Sequence, residues 1–125
     1  MTEPTSRPPG VAAPFAITRN DLGGVAVLTV VGALDMITAP TLSTELHATL
    51  DERPPKLVVD LAGLDFLASA GMAALVDGHR TAGEQTTFAV VADGPATSRP
   101  LRITGLTEVF PVFPNLDAAV AELAE

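Results

Sequence analysis

Residues 60–76, with the sequence DLAGLDFLASAGMAALV, decide how this chain folds. The stretch begins at the end of an apolar run, passes a glycine, and enters a segment whose apolar residues recur at helical spacing. We therefore predict a buried strand, a loop over residues 63–67 and a helix from about Ser69 to Ala82. Its first turn, Ser69, Ala70 and Gly71, is small and uncharged, and a helix start carries free N–H groups and the positive end of the dipole.

This first turn has a structural interpretation as well as a functional one. Serine is a common N-cap, because its oxygen accepts a hydrogen bond from the next turn. Gly71 would then be a poor helix former that is tolerated near a helix end. From these residues alone the structural interpretation is favoured. The functional alternative is a surface that another protein can approach closely.

Outward from this stretch, strand-like and helix-like segments alternate. Strands are predicted at residues 15–20, 25–31, 57–61, 86–92 and 109–113, the last at a sheet edge because of its prolines. Three further helices are predicted to begin at the N-caps Thr38, Ser98 and Asn115. This order predicts an α/β fold: a single domain over residues 15–125, with a mixed sheet of about five strands packed with about four helices. The proline-rich residues 1–14 are predicted to be a flexible lead-in.

Composition excludes several classes of function. Seven basic residues face fifteen acidic ones, and the net charge of −8 argues against nucleic-acid binding. The longest apolar runs reach about seven residues, against the ~20 of a membrane helix, and the N-terminus lacks the apolar region of a secretory signal. The chain has no cysteine, which removes disulfides and thiolate metal sites. We therefore expect a cytoplasmic protein without a membrane segment, metal or cofactor.

Enzyme chemistry finds little support in the sequence. His79 continues an apolar helical stripe, so a packed histidine is the better interpretation, and His47 is expected to face solvent. Asp60 and Asp65 could pair as acid and base, but Asp60 ends a predicted strand and Asp65 lies in a predicted turn, where carboxylates commonly cap backbone N–H groups, so a structural role is favoured. We expect a protein that is not an enzyme.

Three segments in order resemble one family. They are GALDMITAPTL at residues 32–42, DLAGLDFLASAGMAALV at 60–76 and GLTEVFPVFPNLDAAV at 105–120. Together they resemble the STAS domain of anti-sigma factor antagonists, also called anti-anti-sigma factors. The resemblance implies partner switching, in which the antagonist binds an anti-sigma factor and frees a sigma factor. The anti-sigma factor is often a serine kinase of the histidine-kinase-like ATPase fold.

The same resemblance implies where the site lies. Family members carry an Asp-Ser-Ser-Gly or Asp-Ser-Thr-Gly pattern at the start of the second helix, and phosphorylation there adds charge that disrupts the interface. Here Ala68 takes the Asp position, Ser69 the first Ser, Ala70 the phosphoacceptor and Gly71 the Gly. Because Ala70 has no hydroxyl, the usual phosphorylation is excluded. Ser69 is a possible substitute acceptor, although capping is its favoured role.

The expected contact surface combines the loop 65–69 with the second helix. Its partner-binding residues are expected to be Asp35, Asp65, Ser69, Ala70, Gly71 and Met72, with the face around Asp77 and Arg80 alongside. We expect a monomer or weak dimer. Two alternatives stay open: a stressosome-like scaffold subunit that assembles with its own copies, and a STAS module that senses a nucleotide or another small ligand.

Overall fold

A computed structural model describes residues 14–123, and within them a sheet of five strands forms around the longest apolar runs. The strands are β1 Ala16–Leu22, β2 Val25–Leu34, β3 Lys56–Leu67, β4 Thr87–Val91 and β5 Val112–Phe113. They lie side by side in chain order. β1 runs antiparallel to β2, and the other neighbouring pairs are parallel. The predicted mixed sheet is confirmed.

A two-residue turn joins β1 to β2. Leu22 pairs with Val25 across it, and the intervening Gly23 and Gly24 have φ angles of 56° and 85°. Positive φ at both central positions defines the hairpin turn that matches the twist of two antiparallel strands, and glycine adopts it without steric cost. The turn therefore fixes β1 at the edge of the sheet beside β2.

Helices cover both faces of the sheet. They are α1 Ala39–Asp51, α2 Ser69–Ala82, α3 Ser98–Ile103 and α4 Leu116–Leu123, with a 3-10 turn at Leu106–Glu108. α1, α2 and α3 pack on one face against side chains such as Leu28, Leu57 and Val90. α4 packs on the other face against Val27 and Val58. Burial from both sides explains why these strands are apolar at consecutive positions.

Two strands are longer than the sequence predicts. Residues 32–38 and 63–67 were both expected to be loops, but β2 continues to Leu34 and β3 to Leu67. The two extensions pair with each other through register shifts. At Gly63 a Cβ atom would lie 2.8 Å from Val31 Cγ1, so the glycine allows close approach of two strands. Because β3 continues to Leu67, Asp65 lies in a strand and not in the predicted turn.

The predicted capping residues have mixed outcomes. Asn115 accepts a hydrogen bond from the Ala118 N–H at 2.7 Å, so its role as the cap of α4 is confirmed. The N-caps of α2 and α3 are Ala68 and Thr97, so the predicted caps Ser69 and Ser98 are wrong by one residue. Thr38 is the N-cap of α1 as predicted, but its side chain makes no capping hydrogen bond.

Only Val112 and Phe113 of the predicted strand 109–113 pair with β4, at the sheet edge as expected. The predicted flexible lead-in lies, except for Pro14, outside the described residues. No helix within residues 14–123 is long and apolar enough to cross a membrane.

Candidate functional site

The start of α2 is held at the end of β2 by one backbone hydrogen bond. The Ala68 N–H donates to the Leu34 carbonyl at 2.9 Å, and the N–H groups of Gly71 and Met72 then donate to the Ala68 carbonyl. Ala68 has no side-chain acceptor with which to cap the helix, and the first turn holds no acidic residue. Ser69 is the first helical residue and is exposed, while Ala70 is half-buried. The opening turn of α2 (Ser69, Ala70, Gly71) is therefore uncharged, and it is accessible at Ser69 and in part at Ala70.

Gly71 is required where α2 meets the sheet. A Cβ atom on this glycine would lie 2.6 Å from Leu34 Cγ and 3.0 Å from Leu67 Cδ1. Distances this short mean that a larger residue would push the helix away from the ends of β2 and β3. Gly71 is therefore buried and sets the position of the two exposed or half-exposed residues before it.

Asp35 organises the loop that leads from β2 into α1. Its Oδ1 accepts hydrogen bonds from the N–H groups of Thr38 and Ile37, at 3.0 and 2.9 Å, and from the Thr38 hydroxyl at 3.1 Å. These bonds, above all the one from the Thr38 N–H, lower the pKa of the Asp35 carboxyl. The Thr38 hydroxyl also lies 2.8 Å from the Ala33 carbonyl. The loop is therefore built around an ionised carboxylate.

A groove of about 480 Å³ separates the first halves of α1 and α2. On the α1 side it is lined by Met36, Ala39, Pro40 and Ser43. On the α2 side it is lined by Ala70, Ala73, Ala74 and Asp77. We call it the α1–α2 groove. Five of the eight described residues that line it are alanine or serine, so another polypeptide can approach both helices closely.

Large apolar side chains lie exposed near the opening turn. Met36 and Ile37, in the loop before α1, are 78% and 82% exposed, and Phe66, at the end of β3, is 53% exposed. Met36 also lines the α1–α2 groove, and an exposed apolar side chain beside a concave surface is typical of a protein-binding site. The sequence contains a signal for the first two, since Met36 and Ile37 form an apolar pair inside a segment predicted to be a loop.

The predicted site residues are brought together only in part. Asp35 follows Leu34 directly, so the bond from Leu34 to Ala68 brings it beside the opening turn. Met72 is half-buried and faces α3, where the Thr104 hydroxyl lies 3.6 Å from its sulfur. Asp65 is exposed and lies within β3, before the turn into α2.

Residues considered for catalysis have structural roles in the fold. The His79 ring packs edge-on against Phe88 and Phe110, with centroid distances of 5.8 and 6.0 Å, so the packed histidine is confirmed. Asp60 lies inside β3 and not at a strand end, but its carboxylate accepts a hydrogen bond from the Ala62 N–H at 3.0 Å, which is the structural role expected of it. His47 is exposed as predicted, but it has a partner that the sequence did not indicate: its Nε2 lies 2.7 Å from Asp77 Oδ2.

The fold defines a domain of one family. The STAS domain family model matches residues 16–119, and the chain belongs to that family. Its relatives include anti-sigma-F factor antagonist RsfB of Mycobacterium tuberculosis, which is 37% identical over 106 residues, covering 85% of this chain and 87% of RsfB.

Solved structures agree with this assignment. The crystal structure of an anti-sigma factor antagonist from Mycobacterium paratuberculosis has a TM-score of 0.88 and 40% identity, covering 92% of this chain and 100% of that one. The anti-sigma factor antagonist SpoIIAA in its unphosphorylated form has a TM-score of 0.69, covering 85% of this chain and 95% of SpoIIAA. At 13% identity, SpoIIAA shows that the fold is shared.

Proposed function

We propose that this chain is an anti-sigma factor antagonist that works by partner switching. It binds an anti-sigma factor through the opening turn of α2 and thereby releases a sigma factor. The observation that carries the proposal is the uncharged, accessible start of α2, with exposed Met36 and Ile37 nearby. Relatives that are named anti-sigma factor antagonists support the same class of partner.

The finer features of the proposal follow from the family resemblance. The partner is an anti-sigma factor of the serine-kinase type with the histidine-kinase-like ATPase fold, and the exchange takes place in the cytoplasm. The contact includes Asp35, Asp65, Ser69, Ala70 and Met72. Gly71 is buried and contributes by holding the start of α2 close to the sheet. A contact of this kind covers about 800 Å² on each partner.

The binding surface is tested by placing a charge in the opening turn. We expect Ala70→Glu to weaken the affinity for the purified anti-sigma factor at least about tenfold, because an unpaired carboxylate would be buried in the contact. Ala121→Glu is the matched control, since Ala121 is exposed on α4, on the opposite face of the sheet. Isothermal titration measures both. Equal affinities for Ala70→Glu and the wild-type chain would exclude the opening turn as the interface.

We further propose that the usual serine phosphorylation does not control this antagonist. The position that corresponds to the family's phosphoacceptor is Ala70, which has no hydroxyl. After incubation with the anti-sigma kinase and ATP, the intact mass of the wild-type chain should be unchanged, whereas Ala70→Ser should gain one phosphate.

Ser69 is the alternative acceptor that this experiment must address. It is exposed and is not the N-cap of α2, so a capping role does not withhold its hydroxyl from a kinase. A phosphate on the wild-type chain that disappears in Ser69→Ala would overturn the proposal and assign the modification to Ser69.

A further inference from the structure

The α1–α2 groove is an open depression between two neighbouring helices and is lined mostly by residues of both. β2, β3 and β4 are parallel, so α1 and α2 both return antiparallel to the strands, and both begin on the side of the sheet where the strands have their carboxyl ends. Ala39 and Ser43 on α1 face Ala70 and Ala73 on α2 across the groove. The side-chain ridges of a third helix can pack into the groove between two helices. The small side chains that line this groove let the backbone of such a helix come close.

One end of the groove is charged. Asp77 lines it, and it is the only charged residue among the described residues that do so. Its Oδ2 lies 2.7 Å from His47 Nε2, so this contact bridges α1 and α2. Both side chains are about half exposed, at 55% and 49%. The carboxylate is therefore accessible to a cation brought by another molecule.

The charge of the groove and its position on the sheet restrict which kind of partner segment can bind there. The chain has a net charge of −8, and the groove adds an acidic end to apolar walls. A basic group is the complement of such a surface. An added strand would pair with an edge of the sheet. The edges are β1 and β5, whereas the groove lies on top of the sheet between two helices.

We propose that the groove receives an amphipathic helix of the anti-sigma factor. The apolar stripe of that helix lies between α1 and α2, and an arginine or lysine next to the stripe binds Asp77 in place of His47. This inference rests on the proposed function, because it names the element of the anti-sigma factor that docks. It adds a charge contact that the opening turn by itself does not require.

Charge reversal at Asp77 tests the inference. We expect Asp77→Lys to weaken binding to the purified anti-sigma factor about tenfold or more in a titration at fixed salt. Glu122→Lys is the matched control: it makes the same change in net charge on an exposed residue of α4. A general steering effect would change both affinities equally. Equal losses, or none for Asp77→Lys, would overturn the inference.

A second variant distinguishes two roles of Asp77: binding the partner, and linking α1 to α2 through His47. His47→Ala breaks the contact with Asp77 but leaves the carboxylate in place. If Asp77 binds a basic residue of the partner, His47→Ala should bind at least as tightly as the wild-type chain. A loss as large as that of Asp77→Lys would mean that the bridge acts by holding α1 and α2 together, and the inference would fail.

Hydrogen exchange on the anti-sigma factor identifies the docked element. We expect protection of a helical segment with a lysine or arginine beside its apolar stripe, and reversal of that residue to glutamate should restore binding to Asp77→Lys. Protection confined to a strand or loop would overturn the inference. The proposed function fails separately, if no anti-sigma factor binds or if Ala70→Glu binds as tightly as the wild-type chain.

Discussion

Asp35 shows how one side chain shapes the candidate surface. Its carboxylate binds the Thr38 and Ile37 N–H groups and the Thr38 hydroxyl, and these bonds fix the loop that presents Met36 and Ile37. The resemblance to the family suggests a role for Asp35 in partner contact. The structure adds a second role, because the same carboxylate holds the loop before α1 in shape.

The lowered pKa of Asp35 makes a prediction about stability and pH. The unfolded chain, with an ordinary aspartate pKa of about 3.9, takes up this proton more readily than the folded chain. The stabilisation from Asp35 is therefore complete above that ordinary value and is lost as the pH falls through the lower folded-state pKa. We expect Asp35→Asn to unfold more easily than the wild-type chain near pH 7, and the difference to shrink in acid.

Urea unfolding of both chains between pH 7 and pH 3 measures this difference. Asp93→Asn, which changes an exposed aspartate in the loop after β4, serves as the control. A gap between Asp35→Asn and the wild-type chain that stays constant down to pH 3 would contradict the assignment of the effect to the ionised Asp35 carboxylate.

At the scale of elements, the position of α2 depends on two glycines on its buried side. Gly71 lies against Leu34 and Leu67, and Gly78 lies against Leu46 and Phe88. Both residues are poor helix formers, and both let the helix lie close to its neighbours. The contact at Gly71 is the tighter one, because an added Cβ would lie 2.6 Å from Leu34 Cγ, compared with 3.0 Å from Leu46 Cδ1 at Gly78.

We therefore expect Gly71→Ala to lower the free energy of unfolding by about 1 kcal/mol and at most by about 2 kcal/mol, because the ~1 kcal/mol gain in helix propensity offsets only part of the ~1–3 kcal/mol cost of overpacking. At Gly78 the nearest atom is the end of a flexible leucine, so Gly78→Ala should cost less. Urea unfolding measures the change in the free energy of unfolding for each variant, provided that the m-value is unchanged. Gly71→Ala as stable as the wild-type chain, or less costly than Gly78→Ala, would contradict the close packing described here.

At the scale of the whole molecule, the net charge and the exposed apolar side chains have opposite effects on association between copies of the chain. Copies of a chain with a net charge of −8 repel one another. Met36, Ile37 and Phe66 nevertheless offer an apolar surface that a partner can cover. We propose that this surface is reserved for another protein and that the chain alone is a monomer or a weak dimer.

Light scattering coupled to size-exclusion chromatography tests this proposal. We expect the mass of one chain, or of a dimer that dissociates on dilution, both at low salt and at about 0.5 M salt, where charge repulsion is screened. A large assembly that persists on dilution would favour the scaffold alternative over the antagonist.

The sequence alone determined the order of elements and most of the fold. Apolar runs such as residues 25–31 predict buried strands, and the spacing of Leu42, Leu46 and Leu50 predicts the inward stripe of α1, because burial follows the period of each element. These features are local, so neighbouring residues along the chain are enough to encode them. The opening turn of α2 became a candidate surface only through the resemblance of three segments to one family.

Only the tertiary structure decided the features that depend on contacts between distant residues. The ends of β2 and β3 look like loops in the sequence and become strand because they pair with each other. Ala68 replaces Ser69 as N-cap because Ala68 keeps an extended backbone, with its N–H bound to the distant Leu34 carbonyl, while its own carbonyl accepts the first hydrogen bonds of α2. The α1–α2 groove and the contact of His47 with Asp77 arise from the packing of two helices, which no local pattern specifies.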